Sequence, residues 1–190
     1  MKLFERLKRS NQSVWSSYIN HKFVTQLADG VLKESCFKYY LTQDYLFLFH
    51  FARAYALAIY KSENLLDAKQ ALSSLPAIID VEMDLHVKFC ADWDLSPVDM
   101  ACFPEATETM AYTRYVLEKG LSGDLLDLHV ALAPCIIGYA EIGLCYKDQT
   151  INNPFGDWIN MYASEAVSYT HLRAHETDSY IVCRLMLEKK

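Results

Sequence analysis

From Leu3 to about Ala166, apolar residues recur every three or four positions, and nowhere do they alternate with polar ones. That spacing gathers them on one face of an α-helix and leaves no candidate strand. The pattern predicts helices over Leu3–Tyr18, over Lys22–Asp29 with Gly30 ending it, and from about Lys33 to Tyr60. Another covers about Leu65 to Trp93, with a bend or break at Pro76. "DLSPVDMACFPEAT" reads as a connector. Helices then follow from Glu105 to about Lys119, stopped by Gly120, and from Asp124 to Lys147. After the loop "DQTINNP", Pro154 opens a last short helix reaching about Ala166. The connections are short, so the expected fold is one all-α bundle of mostly antiparallel helices, without internal repeats.

Composition narrows the setting. The chain is 52% hydrophobic with only six Gly and five Pro over 190 residues, enough apolar material for a sizeable core. A net charge of −6 argues against nucleic acid as a partner. The start, "MKLFERLKRSNQSVW", lacks the uninterrupted apolar segment of a secretory leader. The apolar runs are broken by charges, so no segment is expected to span a membrane. The six cysteines form no CxxC pair and read as free thiols of a cytoplasmic protein.

The helical stripe stops at Val167. Val167–Thr177, "VSYTHLRAHET", is an in-frame translation of a common transposase-type sequencing-library adapter. Tyr180–Lys190 matches the far end of the same adapter after single-base changes at Ile181 and Met186. The expectation is a native domain over 1–166 and a non-native tail over 167–190. His171, His175 and Cys183 should then carry no chemistry. Deleting the tail should leave the thermal unfolding midpoint essentially unchanged, and a large loss of stability would show it to be native.

Four constellations could carry chemistry. Asp44, in "QDYLFLFHFARAY", shares a helix face with Phe47, Leu48 and Phe51. It is either a surface acid flanking the stripe or a buried acceptor, which must have a partner because an unpaired buried carboxylate costs several kcal/mol. In "LAPCIIGYAEIG", Cys135 follows Pro134 and lies one turn before Tyr139. Pro134 removes a backbone hydrogen bond, and Gly138 thins the helix for close approach. Cys135 is either a small core residue or a nucleophile with thiolate character and an open pocket. Tyr112 and Tyr162 sit on helices and serve either as core or as stacking surfaces for a flat heteroaromatic ligand. Glu82 and His86 stand at i and i+4, which reads as a helix-face interaction and not as the repeated ligand motif of a di-iron bundle. His21 alone does not suggest a haem ligand.

The blocks "FKYYLTQDYLFLFHFARAYA", "EMDLHVKF", "YTRYVLEKG", "LAPCIIGYAEIG" and "DWINMYASE" together resemble the TenA, or thiaminase II, family in order and spacing, over Phe4 to Glu165. The resemblance implies a haem-oxygenase-like all-α fold, usually a homotetramer, with no haem, metal or other cofactor. It implies hydrolysis of aminomethylpyrimidine to hydroxymethylpyrimidine, and for many members cleavage of thiamin itself. Asp44 would bind the aminopyrimidine, Phe47 would stand beside it, and Tyr112, Tyr139 and Tyr162 would line the pocket. Cys135 would be the nucleophile. The partners implied are an aminopyrimidine or thiamin, without nucleic acid or membrane.

The chain departs from the family at one point. The family's acid/base glutamate lies on a helix well after the position of Tyr162, and Glu176 and Glu188 fall in the suspected tail. The expectation is therefore that the completed protein is an enzyme and the 190-residue chain itself is inactive. The alternative is a haem-oxygenase-like oxidase or a pyrimidine-binding protein without hydrolase activity. Residues 1–166 contain four His, at 21, 50, 86 and 129, with no repeated ligand motif, which disfavours the oxidase.

Overall fold

The computed structural model describes residues 3–164, and every regular element among them is a helix. The expectations for 167–190, with His171, His175, Glu176, Cys183 and Glu188, lie outside those residues.

Where the apolar pattern runs unbroken to Tyr18, the chain makes two helices, α1 (Leu3–Ser10) and α2 (Gln12–Ile19). Asn11 parts them. Its amide nitrogen donates to the Leu7 carbonyl at 3.0 Å, a local bond of the kind that competes with the helix ladder. His21 caps α3 (Lys22–Ala28), its Nδ1 accepting from the Phe23 N–H at 3.2 Å. Gly30 then takes φ +70°, and the Val31 N–H closes back on the Gln26 carbonyl at 2.9 Å. That left-handed ending favours glycine.

α4 (Glu34–Lys61) is followed by α5 (Leu65–Pro76), a π-helical segment (Ala77–Glu82) and α6 (Met83–Ala91). Pro76 therefore changes the winding of a continuing helical run and does not end it. The connector holds a short helix, α7 (Pro97–Ala101), closed by a capping box between Ser96 and Asp99. α8 (Thr107–Ser122) runs through Gly120 instead of stopping there. Gly120 is a packing residue: a Cβ at that position would stand 2.7 Å from the Leu57 side chain and 2.9 Å from that of Leu128. The helix ends at Gly123, where Lys61 donates to the carbonyls of Leu121 and Gly123.

α9 (Leu125–Tyr146) precedes α10 (Gly156–Ala163). Pro154 stays outside α10 because Asn153 Oδ1 accepts from the Phe155 N–H at 2.8 Å and sets a turn first. The expectation that no segment approaches a membrane span is too strong for α9. Its 22 residues reach a mean hydropathy of 1.6 over an 18-residue window, but 56% of that window is buried inside the protein, as in a core helix.

The described residues form two compact units, 3–32 with 132–164, and Lys33–Ala131. In the second, α4 is the axis and packs on α5, the π-helical segment, α6, α7 and α8. Phe37, Leu41, Asp44, Leu48, Phe51, Tyr55 and Ala58 form its buried stripe, in alternating steps of four and three. In the first unit, Glu141 of α9 anchors the N-terminal helices. It accepts from Lys8 Nζ at 2.7 and 2.8 Å and from Trp15 Nε1 at 3.0 Å.

Candidate functional site

The six residues expected at the site divide between the units. Asp44, Phe47 and Tyr112 lie in Lys33–Ala131; Cys135, Tyr139 and Tyr162 lie in the other.

Asp44 is no surface acid. It occupies a core position of the α4 stripe and is buried. One oxygen, Oδ2, accepts two hydrogen bonds: from the Tyr40 hydroxyl at 2.7 Å, one turn earlier, and from His86 Nε2 on α6 at 2.8 Å. His86 is fully buried at 0% exposure, and its Nδ1 donates to the backbone carbonyl of Glu82 at 2.7 Å. A carbonyl can only accept, so Nδ1 carries a proton; a carboxylate at Nε2 places a proton there too. The ring is assigned as an imidazolium. Burial, the largest influence, works against that charge. The hydrogen bond from His86 to Asp44, the charge of Asp44, and the carbonyl and charge of Glu82 together outweigh it and raise the His86 pKa.

Glu82 completes this acidic corner. Burial first, then the negative charge of Asp44, push its carboxyl up to about 8, against the pull of His86. The i, i+4 spacing of Glu82 and His86 did suggest contact, but the contact runs through the Glu82 backbone and not through its carboxyl. The step from His86 to Asp44, 42 residues earlier, had no sequence signal beyond both residues lying in the blocks quoted above.

Gln43, beside Asp44, does a different job that the sequence reading missed. Its Oε1 accepts from the Ala106 N–H at 2.8 Å and the Thr109 hydroxyl at 3.0 Å, and its Nε2 donates to the Pro104 carbonyl at 3.0 Å. It therefore fastens the start of α8 to α4. Glu105 reinforces the join, pairing with His50 at 2.8 Å and with Arg114 at 2.6 Å. This fastening sets Tyr112, whose ring stacks on Phe47 with centroids 5.9 Å apart at 15°, and whose hydroxyl donates to the Ala131 carbonyl at 3.0 Å. Phe47 stacks in turn on Phe51 at 5.4 Å. Phe47 and Tyr112 are both half-buried, so the pair retains open aromatic surface.

In the other unit, Cys135 and Tyr139 lie one turn apart on α9, both half-buried. The Cys135 thiol donates to the Leu132 carbonyl at 3.0 Å. Gly138 lets α2 approach this turn: a Cβ there would fall 2.4 Å from the Tyr18 ring, whose hydroxyl donates to the Pro134 carbonyl at 3.1 Å. Tyr139 packs on Tyr162 at 4.9 Å, and Tyr162 on Trp158 at 4.5 Å. Gly143 brings α9 against α10, since a Cβ there would meet the Tyr162 carbonyl carbon at 2.5 Å. That obstacle is backbone and cannot swing away. Gly143→Ala is therefore expected to destabilise the protein by about 1–3 kcal/mol, read from the midpoint of urea unfolding. A midpoint equal to wild type would show that α9 and α10 separate freely.

Cys90, fully buried on α6, has its thiol pushed up to about 11 by burial against the charge of Lys38, which disfavours the reactive thiolate. Among the described residues no group of three or more His, Cys, Asp or Glu side chains is arranged to hold a metal ion.

The chain matches the model of the TENA/THI-4/PQQC family over residues 9–190. It is 39% identical over 166 residues to an uncharacterized protein of Haemophilus influenzae, a match covering 86% of this chain and 77% of that one. It is 38% identical over 157 residues to the aminopyrimidine aminohydrolase of Halalkalibacterium halodurans, covering 81% and 70%. Among solved structures, a TenA family transcription regulator of Silicibacter sp. superposes with a TM-score of 0.91 at 38% identity, over 95% of this chain and 80% of that one.

Proposed function

The chain belongs to the TENA/THI-4/PQQC family, and on that premise we propose that it is an aminopyrimidine hydrolase of thiamin salvage. Its substrate is aminomethylpyrimidine and its product hydroxymethylpyrimidine. The observation that carries the reading is Asp44: a buried carboxylate, held from one side by two donors, is an acceptor made for the amino N–H of an aminopyrimidine. The 38% identical aminohydrolase supports the same substrate class.

Phe47 and Tyr112 serve as stacking surface, and Tyr139 and Tyr162 as the aromatic surround of the nucleophile Cys135. The Cys135 thiolate adds to the unsubstituted ring carbon of the pyrimidine as the adjacent ring nitrogen takes a proton. The electron pair returns through the neighbouring ring carbon and expels ammonia from the methylene. Water adds to that methylene carbon, and loss of the thiolate restores the aromatic ring. An acid/base group moves the protons. Thiamin carries the same pyrimidine with a thiazolium on the same methylene, so it is the comparison substrate. The working form in this reading is a cytoplasmic homotetramer that needs no cofactor.

Calorimetric titration of the chain with aminomethylpyrimidine and with thiamin tests binding. Chromatography of released hydroxymethylpyrimidine tests turnover, on the chain and on a chimera in which the C-terminal segment of the Halalkalibacterium halodurans relative follows Ala166. Binding of the aminopyrimidine with turnover in at least one form is expected. A chain that binds neither compound would sink the reading.

A further inference from the structure

We propose that His86 is a positioning residue: as an imidazolium it clamps Asp44 through Oδ2 and leaves Oδ1 as the edge that receives the ligand's N–H. The inference rests on the substrate class proposed above but concerns a residue to which that reading gives no role.

The geometry is asymmetric. Both recorded donors, the Tyr40 hydroxyl and His86 Nε2, meet the same oxygen, at 2.7 and 2.8 Å. Among the described residues nothing donates to Oδ1. A carboxylate held by a single partner can rotate about its terminal torsion, which is broad and two-fold. Two donors from different elements, α4 and α6, fix both its plane and which oxygen faces away. His86 is itself immobile, because its other nitrogen is spent on the Glu82 carbonyl at 2.7 Å and no part of the ring reaches solvent.

Charge is the second part of the argument. A buried charge needs an opposite charge beside it, and His86 supplies one to the Asp44 carboxylate just where the ligand needs an acceptor. The titratable groups facing His86 are Asp44 from α4 and Glu82 from the π-helical segment, with Tyr40 on the far side of the shared oxygen. Burial and the charge of Asp44 raise the Glu82 carboxyl, which eases its crowding against Asp44. A merely structural pair would account for the burial; it would not require the His86 ring to carry a charge.

Two measurements decide this. Ring nitrogen shifts of His86, read by NMR on the ligand-free chain, should be those of an imidazolium at pH 7 and should become those of a neutral ring in Asp44→Asn. A neutral ring at pH 7 in the wild type overturns the clamp. Affinity for aminomethylpyrimidine is then followed from pH 5 to pH 8 in wild type, His86→Ala and His86→Gln. His86→Ala should bind at least tenfold more weakly at pH 7. His86→Gln places an amide N–H where Nε2 stood but brings no charge. It should recover affinity at pH 8, while the acid limb of its binding curve moves upward by a pH unit or more. A His86→Gln limb identical to wild type overturns the proposal, since a structural role predicts no movement. A wild-type chain that binds no aminomethylpyrimidine overturns the substrate reading and with it the ligand edge on Oδ1. The imidazolium clamp then stands or falls on the ring shifts alone.

Discussion

Cys135→Ser is expected to reduce hydrolysis by roughly a thousandfold or more, about 4 kcal/mol of barrier, while changing the affinity for aminomethylpyrimidine little. The hydroxyl nearly matches the thiol in shape, and the Leu132 carbonyl that accepts from Cys135 at 3.0 Å can accept equally from serine. The helix turn, with Pro134 before it and Tyr18 pressed on Gly138 after it, is unaffected by the change. What is lost is the nucleophile: a serine hydroxyl is far less nucleophilic than a thiolate near neutral pH. Steady-state release of hydroxymethylpyrimidine, beside calorimetric affinity, separates the two effects in whichever form turns over. Near-normal turnover in the variant would remove Cys135 from the chemistry and leave it a small core residue.

Asp44→Asn should show the opposite balance, with binding damaged as well as rate. The substitution replaces a charged acceptor by an amide that presents donors toward the ligand's own N–H groups. A loss on the order of 2–3 kcal/mol is expected, about 30- to 150-fold in affinity. The loss has an internal cause too. His86 donates to Asp44 from a fully buried ring, and with the carboxylate gone the ring loses the partner at Nε2 that sustains its charge. Calorimetry at pH 7, with circular dichroism to confirm that the helices remain, makes the comparison. Unaltered affinity would mean that Asp44 serves only the buried pair with His86.

The all-helical architecture was legible because it depends on local periodicity. The α4 stripe can be read directly from Phe37, Leu41, Leu48, Phe51 and Tyr55, and the spacing shows that Asp44 belongs with them. What periodicity could not show was whether that acid was tolerated or used, because its partner His86 arrives from α6, 42 residues later. Helix ends were misjudged where a side chain overrode the pattern: Asn11 splits the first helix, and Asn153 holds Pro154 out of the last. Gly120 misled for the converse reason. Glycine is a stop signal by its backbone freedom, but here it is kept for its missing side chain, between Leu57 and Leu128. The reason for Gly138 was read correctly as close approach; only the structure names Tyr18 as what approaches.

The π-helical segment Ala77–Glu82 has a consequence for how this chain can change over generations. A π turn holds about one residue more than an α turn, and each helical residue accounts for about 100° of rotation. Deleting one residue there would let the run rewind as ordinary α-helix over the same full turn, so His86 would stay on the side of its helix that faces Asp44. An ordinary α-helix has no such slack, since one residue fewer turns everything beyond by about 100°. The extra residue is thus a reserve of length: a first one-codon gap between Pro76 and His86 can be absorbed, whereas a second would swing His86 away from Asp44. The length of that stretch is itself a functional character, to be compared among relatives as one would compare a residue.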